Sequence, residues 1–185
     1  MTYILGGWQS DFSDNWARRG VDMAHVFSET IEAGLDATKL EPKDIDTGHV
    51  AITRYVVGHD CGVLINPMLV DGQVRGGVVH GIGNALFERM MYDEAGQPVT
   101  TTYADYLLAT ATEVPRIEII HLQSPSPLNP IGVKGAGEGG TIPAAACIIS
   151  AIENALTPFD VHITEHPVLP AQIRGMIRAA TNDVK

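Results

Sequence analysis

Glu138 is the one ionisable side chain in the run Gly135-Ala136-Gly137-Glu138-Gly139-Gly140, which lies inside the longer segment from Gly132 to Pro143. Small residues let backbone amides come close to a bound group and leave the carboxylate facing it. A glutamate so placed is a candidate general base. Thr141 has the residue type of an N-cap and Pro143 suits a first helical turn. The partial positive end of a helix starting there favours an ionised Glu138, which can take a proton from a metal-bound hydroxyl. Lys134 could bind an anion such as phosphate. A plainer alternative fits the same spacing: Glu138 caps the helix and Lys134 is solvated.

A second group of chemically capable residues lies upstream: His59-Asp60-Cys61-Gly62, then Asn66-Pro67, Gln73 and His80. Cys61 beside His59 invites a nucleophile reading, but a Cys among apolar residues is more often an inert core residue. Adjacent strand positions face opposite ways, so His59 and Cys61 can share a face that Asp60 does not. His80 either donates to a cofactor or is a satisfied structural histidine. The remaining histidines show no metal-ligand spacing.

The elements that must position these groups follow from periodicity. Residues 3–8 read as a short strand, 20–38 as a helix, 49–57 as a strand and 58–72 as a loop. Val74, Val78, Ile82, Leu86 and Met90 recur every four residues, so 73–91 is expected to be helical. Gly76, Gly77, Gly81 and Gly83 fall inside it, each costing about 1 kcal/mol against alanine. Either a bound group or a packed helix approaches that backbone. Residues 93–96 form a turn and 117–122 a strand. The three prolines within 124–130 exclude a regular element there. A helix over 142–156, a strand over 161–163 and a helix over 170–180 complete an α/β (α+β) chain, a mixed sheet with packed helices.

Composition narrows the classes. The chain has 185 residues, 45% hydrophobic and 18% charged, with a formal net charge of −10. That balance is globular and argues against nucleic acid or an anionic membrane as partner. Cys61 and Cys147 are the two cysteines, too few to build an iron–sulfur cluster or a zinc cage by themselves; no residue is expected to ligate a metal directly. A reduced, cytoplasmic setting is expected. No apolar run is long enough to span a bilayer, and the N-terminus has no secretory pattern.

Taken together, Asp60-x-Gly62, Asn66-Pro67, Gly72-Gln73-x-x-Gly76-Gly77, Gly81-x-Gly83, Asp105-Tyr106, Gly132-x-Lys134-Gly135-x-Gly137-Glu138 and Pro143-Ala144-Ala145-Ala146 resemble the C-terminal part of the molybdenum-binding large subunit of the xanthine dehydrogenase and aldehyde oxidase family, carbon monoxide dehydrogenase-like members included. The resemblance spans about residues 50–175. It implies an oxidoreductase that hydroxylates an electrophilic carbon of a small molecule with water-derived oxygen. Glu138 would be the base beside the molybdenum. Lys134, Gly135, Ala136 and Gly137 would approach the molybdopterin, in its cytosine dinucleotide form, with Gln73, Gly76, Gly77 and His80 nearby. Many relatives carry Gln at the position of His80. Iron–sulfur and flavin (FAD) groups would sit on partner subunits. A whole large subunit is several times longer, so the chain is expected to need the remainder of that subunit to hold cofactor or turn over.

Residues 1–49 instead resemble the first strand, helix and second strand of a thiolase-type acetyl-CoA acetyltransferase. The expected organisation is therefore a composite, 1–49 and 50–185, joined near His49 to Ala51, natural or from an assembled gene. Two other functions stay open at this point: a thiolase-like acyltransferase fragment, and a non-catalytic assembly module.

Overall fold

A computed structural model describes residues 4–5 and 47–182. Three strands, β1 (Ile4–Leu5), β2 (Arg54–Asp60) and β3 (Arg116–Leu122), lie side by side in that order. Three helices, α1 (Pro67–Leu86), α2 (Ala144–Ala155) and α3 (Pro170–Asn182), accompany them, with a 3-10 turn at Thr157–Phe159. The α/β class holds. Both ladders are parallel, so the antiparallel member of the expected mixed sheet is not among the described residues. A parallel pair needs a long crossover, usually helical, and α1 lies in the one between β2 and β3.

The core forms between the sheet and α1 and α2. Tyr55, Val57 and His59 alternate along β2 and are buried. They share a face, because successive strand side chains point to opposite sides. Val74, Val78 and Ile82 of α1 and Ile148 and Ile152 of α2 join that core. Each large apolar side chain buried in this way stabilises the fold by roughly 1.5–3 kcal/mol.

Helix α1 begins at Pro67 instead of Gln73 and ends at Leu86 instead of Met91. Asn66 and Pro67, read as loop signals, are the N-cap and first helical residue: Asn66 Oδ1 accepts from Leu69 N at 3.2 Å. At the other end Phe87 N and Glu88 N both donate to Gly83 O, at 2.9 and 2.8 Å, and close the helix. The glycines divide into two groups. A Cβ on Gly77 would lie 2.9 Å from Thr141 N, and one on Gly81 would overlap the Ala144 side chain. Gly76 is exposed with open space around it. Close packing against the segment that leads into α2 therefore accounts for Gly77 and Gly81. Gly81→Leu is expected to destabilise the chain by about 3 kcal/mol through overpacking. Gly76→Ala is expected to leave stability equal or up to about 1 kcal/mol higher. Denaturant titration of the two variants beside the parent chain checks both.

Other expectations shift. β2 begins at Arg54, not His49, and runs to Asp60, into the expected loop. Residues 161–163 form no strand. Val161 is buried, and Ile163 N donates to the Glu153 carboxylate at 2.7 Å, so that donor is satisfied without a ladder. α2 starts at Ala144 with Pro143 as N-cap and no side-chain cap bond. Thr141 is not the cap, because its hydroxyl donates to Gly77 O at 3.2 Å. Of residues 3–8, Ile4 and Leu5 are strand, in register with Tyr55 and Val56. The expected helix over 20–38, and most of the thiolase-like segment, lie outside the described residues.

Candidate functional site

The glycine loop is entered through a polar latch. Asp60, at the end of β2, accepts from Gly62 N (2.7 Å), Ser124 N (3.3 Å), Ser124 Oγ (2.6 Å) and Lys134 Nζ (3.3 Å). Lys134 Nζ also donates to Ser124 Oγ at 2.6 Å. The backbone reinforces the latch. Val63 N donates to Gly132 O at 3.0 Å, Lys134 N to Cys61 O at 2.8 Å, and Gly62 bridges Val133. Gly62 and Gly132 adopt φ of 71° and 70°, and a Cβ on Gly62 would overlap Gly132 O. Glycine is required there by both conformation and space. Lys134, expected to meet an anionic cofactor, has its ammonium engaged by Asp60 and Ser124. It holds the loop instead of offering a free cation.

The latch carries a pH signature. Burial pushes the Asp60 carboxyl up, but the Ser124, Gly62 and Lys134 donors outweigh it and hold the group below its ordinary value. A carboxyl with a depressed native pKa contributes stability that is present above its unfolded value, about 3.9, and that is lost as pH falls through the native value. Urea titrations of the chain at successive pH values below about 5 should show this acid-side loss. In Asp60→Asn the chain should be less stable near neutrality and its acid-side slope shallower.

Beyond the latch, the crest of the loop is fixed on one side and open on the other. Gln73 Nε2, from α1, donates to Gly137 O at 2.7 Å. Glu138 O accepts from Thr141 N (3.0 Å) and Ile142 N (3.1 Å). Gly139 lies against the His59 imidazole and Gly140 against Val74 O, and both are buried. Gly135, Gly137 and the Glu138 side chain are exposed, Ala136 is half-buried, and a Cβ on Gly135 or Gly137 would meet nothing within 4 Å. α2 starts only at Ala144, so Glu138 lies outside its first turn. Glu138 is not the helix cap either. Its carbonyl closes the turn that precedes α2.

On α1, Gln73, Gly76 and His80 are exposed. Their spacing places them on one face of the helix, which begins where Gln73 meets Gly137. Four of the expected contact positions, Gln73, Gly135, Ala136 and Gly137, thus come together beside Glu138, with Gly76 and His80 further along the same helix face. Gly77 does not join them, because it is buried under Thr141.

The sequence reading noted His59 but not the company it keeps, His121 and Asp71. His59 is 5% exposed. Its register partner across the sheet is His121, with the rings edge to face at 6.4 Å. Asp71 of α1 holds His121 Nε2 at 2.5 Å. Burial, then His121, lower the His59 pKa, while Asp60 opposes them. Nothing in sequence spacing pairs these groups; strand register does. Cys61 is buried, and that burial pushes its thiol up, which withholds the thiolate an acyl-transfer nucleophile needs. Among the described residues no group of three or more His, Cys, Asp or Glu side chains is placed to hold a metal ion.

The chain is similar to known proteins. Residues 42–115 match the family described as "Molybdopterin cofactor-binding domain". The nicotine 6-hydroxylase large subunit of Paenarthrobacter nicotinovorans is 45% identical over 127 residues, which are 69% of this chain and 16% of that protein. The carbon monoxide dehydrogenase large chain of Afipia carboxidovorans is 38% identical over 60% of this chain and 14% of its own length. The crystal structure of quinoline 2-oxidoreductase from Pseudomonas putida 86 superposes with a TM-score of 0.71 at 44% identity, covering 73% of this chain and 17% of that one. The chain thus spans about one sixth of the length of relatives it matches. Among the described residues no helix is long and apolar enough to cross a membrane.

Proposed function

Because the chain belongs to the xanthine dehydrogenase and aldehyde oxidase family, as part of its molybdenum-binding large subunit, we propose that it supplies one wall of a molybdenum hydroxylase site and the general base of that site. The observation that carries this reading is the exposed Glu138 on a crest whose two neighbours are both held, Gly137 by Gln73 and Gly139 by His59. A base must keep its place while it takes a proton.

The residues fit a molybdopterin group. Gly76, Gly135 and Gly137 leave open space where a Cβ would otherwise stand. The backbone at Gly135, Ala136 and Gly137 would hold the group together with the face formed by Gln73, Gly76 and His80. Lys134 secures the loop from within and Gly77 packs beneath it. When bound, the cofactor supplies two-electron redox chemistry. The chain's own part is to present the Glu138 carboxylate, which accepts the proton released as water-derived oxygen passes to an electrophilic carbon. The cytosine dinucleotide form, iron–sulfur and FAD groups on partner subunits, and a cytoplasmic setting belong to the same reading.

The remainder of the large subunit is the first partner. Leu128 (91%), Tyr103 (80%) and Met68 (75%) are large apolar side chains left exposed, as expected of a surface that more chain should cover. The composite organisation, 1–49 and 50–185, also stays a proposal. Genomic DNA read across codons 45–55 tests it, because separate reading frames there would show the join to be artificial.

The test of function is turnover by the chain complemented with the missing large-subunit portion and its partner subunits, in water enriched in oxygen-18. Nicotine and quinoline, named for relatives at 45% and 44% identity, head the substrate panel, followed by aldehydes, xanthine and carbon monoxide. Product carrying the heavy oxygen is expected. Product whose added oxygen comes from dioxygen would contradict the proposal.

A further inference from the structure

His59 is 5% exposed, and its Nδ1 is buried with no hydrogen-bond partner among the described residues. The ring is therefore held by packing and by its place on β2. His121 lies across from it in register, fixed in turn by Asp71. The remaining ring nitrogen faces the loop: a Cβ built on Gly139 would fall on His59 Nε2. Gly139 has no positive φ, so the demand for glycine there is steric and comes from this ring. Only Glu138 separates Gly139 from Gly137, which Gln73 holds from the other side.

We propose that His59 is a positioning residue: its imidazole is the floor on which Gly139 rests, and it sets where the neighbouring Glu138 carboxylate can reach. The functional consequence rests on Glu138 being the base, whereas the contact does not. Because the ring acts by shape, a flat apolar ring should replace it and a small side chain should not.

Amide hydrogen exchange of the full chain reads this without any cofactor. The Thr141 and Ile142 amides both donate to Glu138 O and report on the crest. His59→Ser is expected to speed their exchange by about tenfold or more, as local opening becomes easier, with β3 and α3 amides unchanged. His59→Phe should retain protection. From the loop side, Gly139→Ala should speed the same two amides and Gly137→Ala should not, since Gly137 has open space. That pair of variants decides the matter should His59→Ser fail to fold. Unchanged exchange in Gly139→Ala, or equal effects of alanine at 137 and 139, would overturn the proposal. In the complemented enzyme His59→Ser should lower kcat with KM nearly unchanged, and His59→Phe should restore kcat. Should Glu138→Gln retain turnover while the exchange results hold, the base assignment fails and the contact stands.

Discussion

Glu138→Gln in the complemented enzyme is expected to lower kcat by about 100- to 10,000-fold, the usual contribution of a positioned general base, and to leave folding and molybdenum content unchanged. The side chain is exposed, and the loop is held through backbone atoms on either side of it: Gly137 O with Gln73, and Glu138 O with Thr141 N and Ile142 N. Glutamine keeps the size and the backbone and removes the proton acceptor. A purely structural Glu138 would give the opposite pattern, a change in stability without a selective loss of kcat. A non-catalytic assembly module would show no change at all. Thermal melting, metal analysis and steady-state rates on the same preparations separate the three outcomes.

The largest effect on stability is expected at Asp60, not at Glu138. Asp60→Ala removes an acceptor that four donors share and leaves the Lys134 ammonium beside Ser124 without its counter-charge. The pair is part-buried, and each donor left without its acceptor costs about 1–3 kcal/mol, so the substitution should cost about 3–5 kcal/mol in all, which for a chain of this size lowers Tm by on the order of 10 °C. Lys134→Met should cost less, about 1.5–3 kcal/mol, because Asp60 keeps its Gly62 and Ser124 donors. The order matters more than either value. Were Lys134 a solvated surface residue, its substitution would be neutral. Were it a cofactor ligand only, the loss would appear in cofactor binding and not in the melting of the chain. Calorimetric melting of Asp60→Ala and Lys134→Met beside the parent chain reads the order.

How much of this was legible in the sequence differs from residue to residue. The crest was legible as an open loop because its signal is local: glycines around one carboxylate leave a backbone that can be approached closely, and Gly135 and Gly137 stand in open space. The Val74, Val78, Ile82 repeat gave α1 and its buried face. Its start was misread because Asn-Pro serves equally as a turn and as an N-cap followed by a first helical residue; the Asn66 side chain on Leu69 N decides between them. Residues 161–163 have strand composition, but a strand needs a neighbour, and the Glu153 carboxylate satisfies Ile163 N in its place. The partners of the Lys134 ammonium were hidden for a similar reason. A lysine beside a glycine loop suits an anion, and only the register of β2 on β3, with Asp60 opposite Leu122, brings Asp60 and Ser124 to it. The contact of His59 with Gly139 joins residues far apart in the chain and carries no local signature.

Molybdenum content tests the central claim most directly, that the chain holds a real part of a molybdenum site but not the whole of it. The metal should be measured per molecule in two samples from the same host: the purified chain, and the chain co-expressed with the complementing large-subunit portion. The expected result is close to none for the chain alone and close to one for the complemented assembly. About one molybdenum per molecule in the chain alone, or none in either sample, would contradict it.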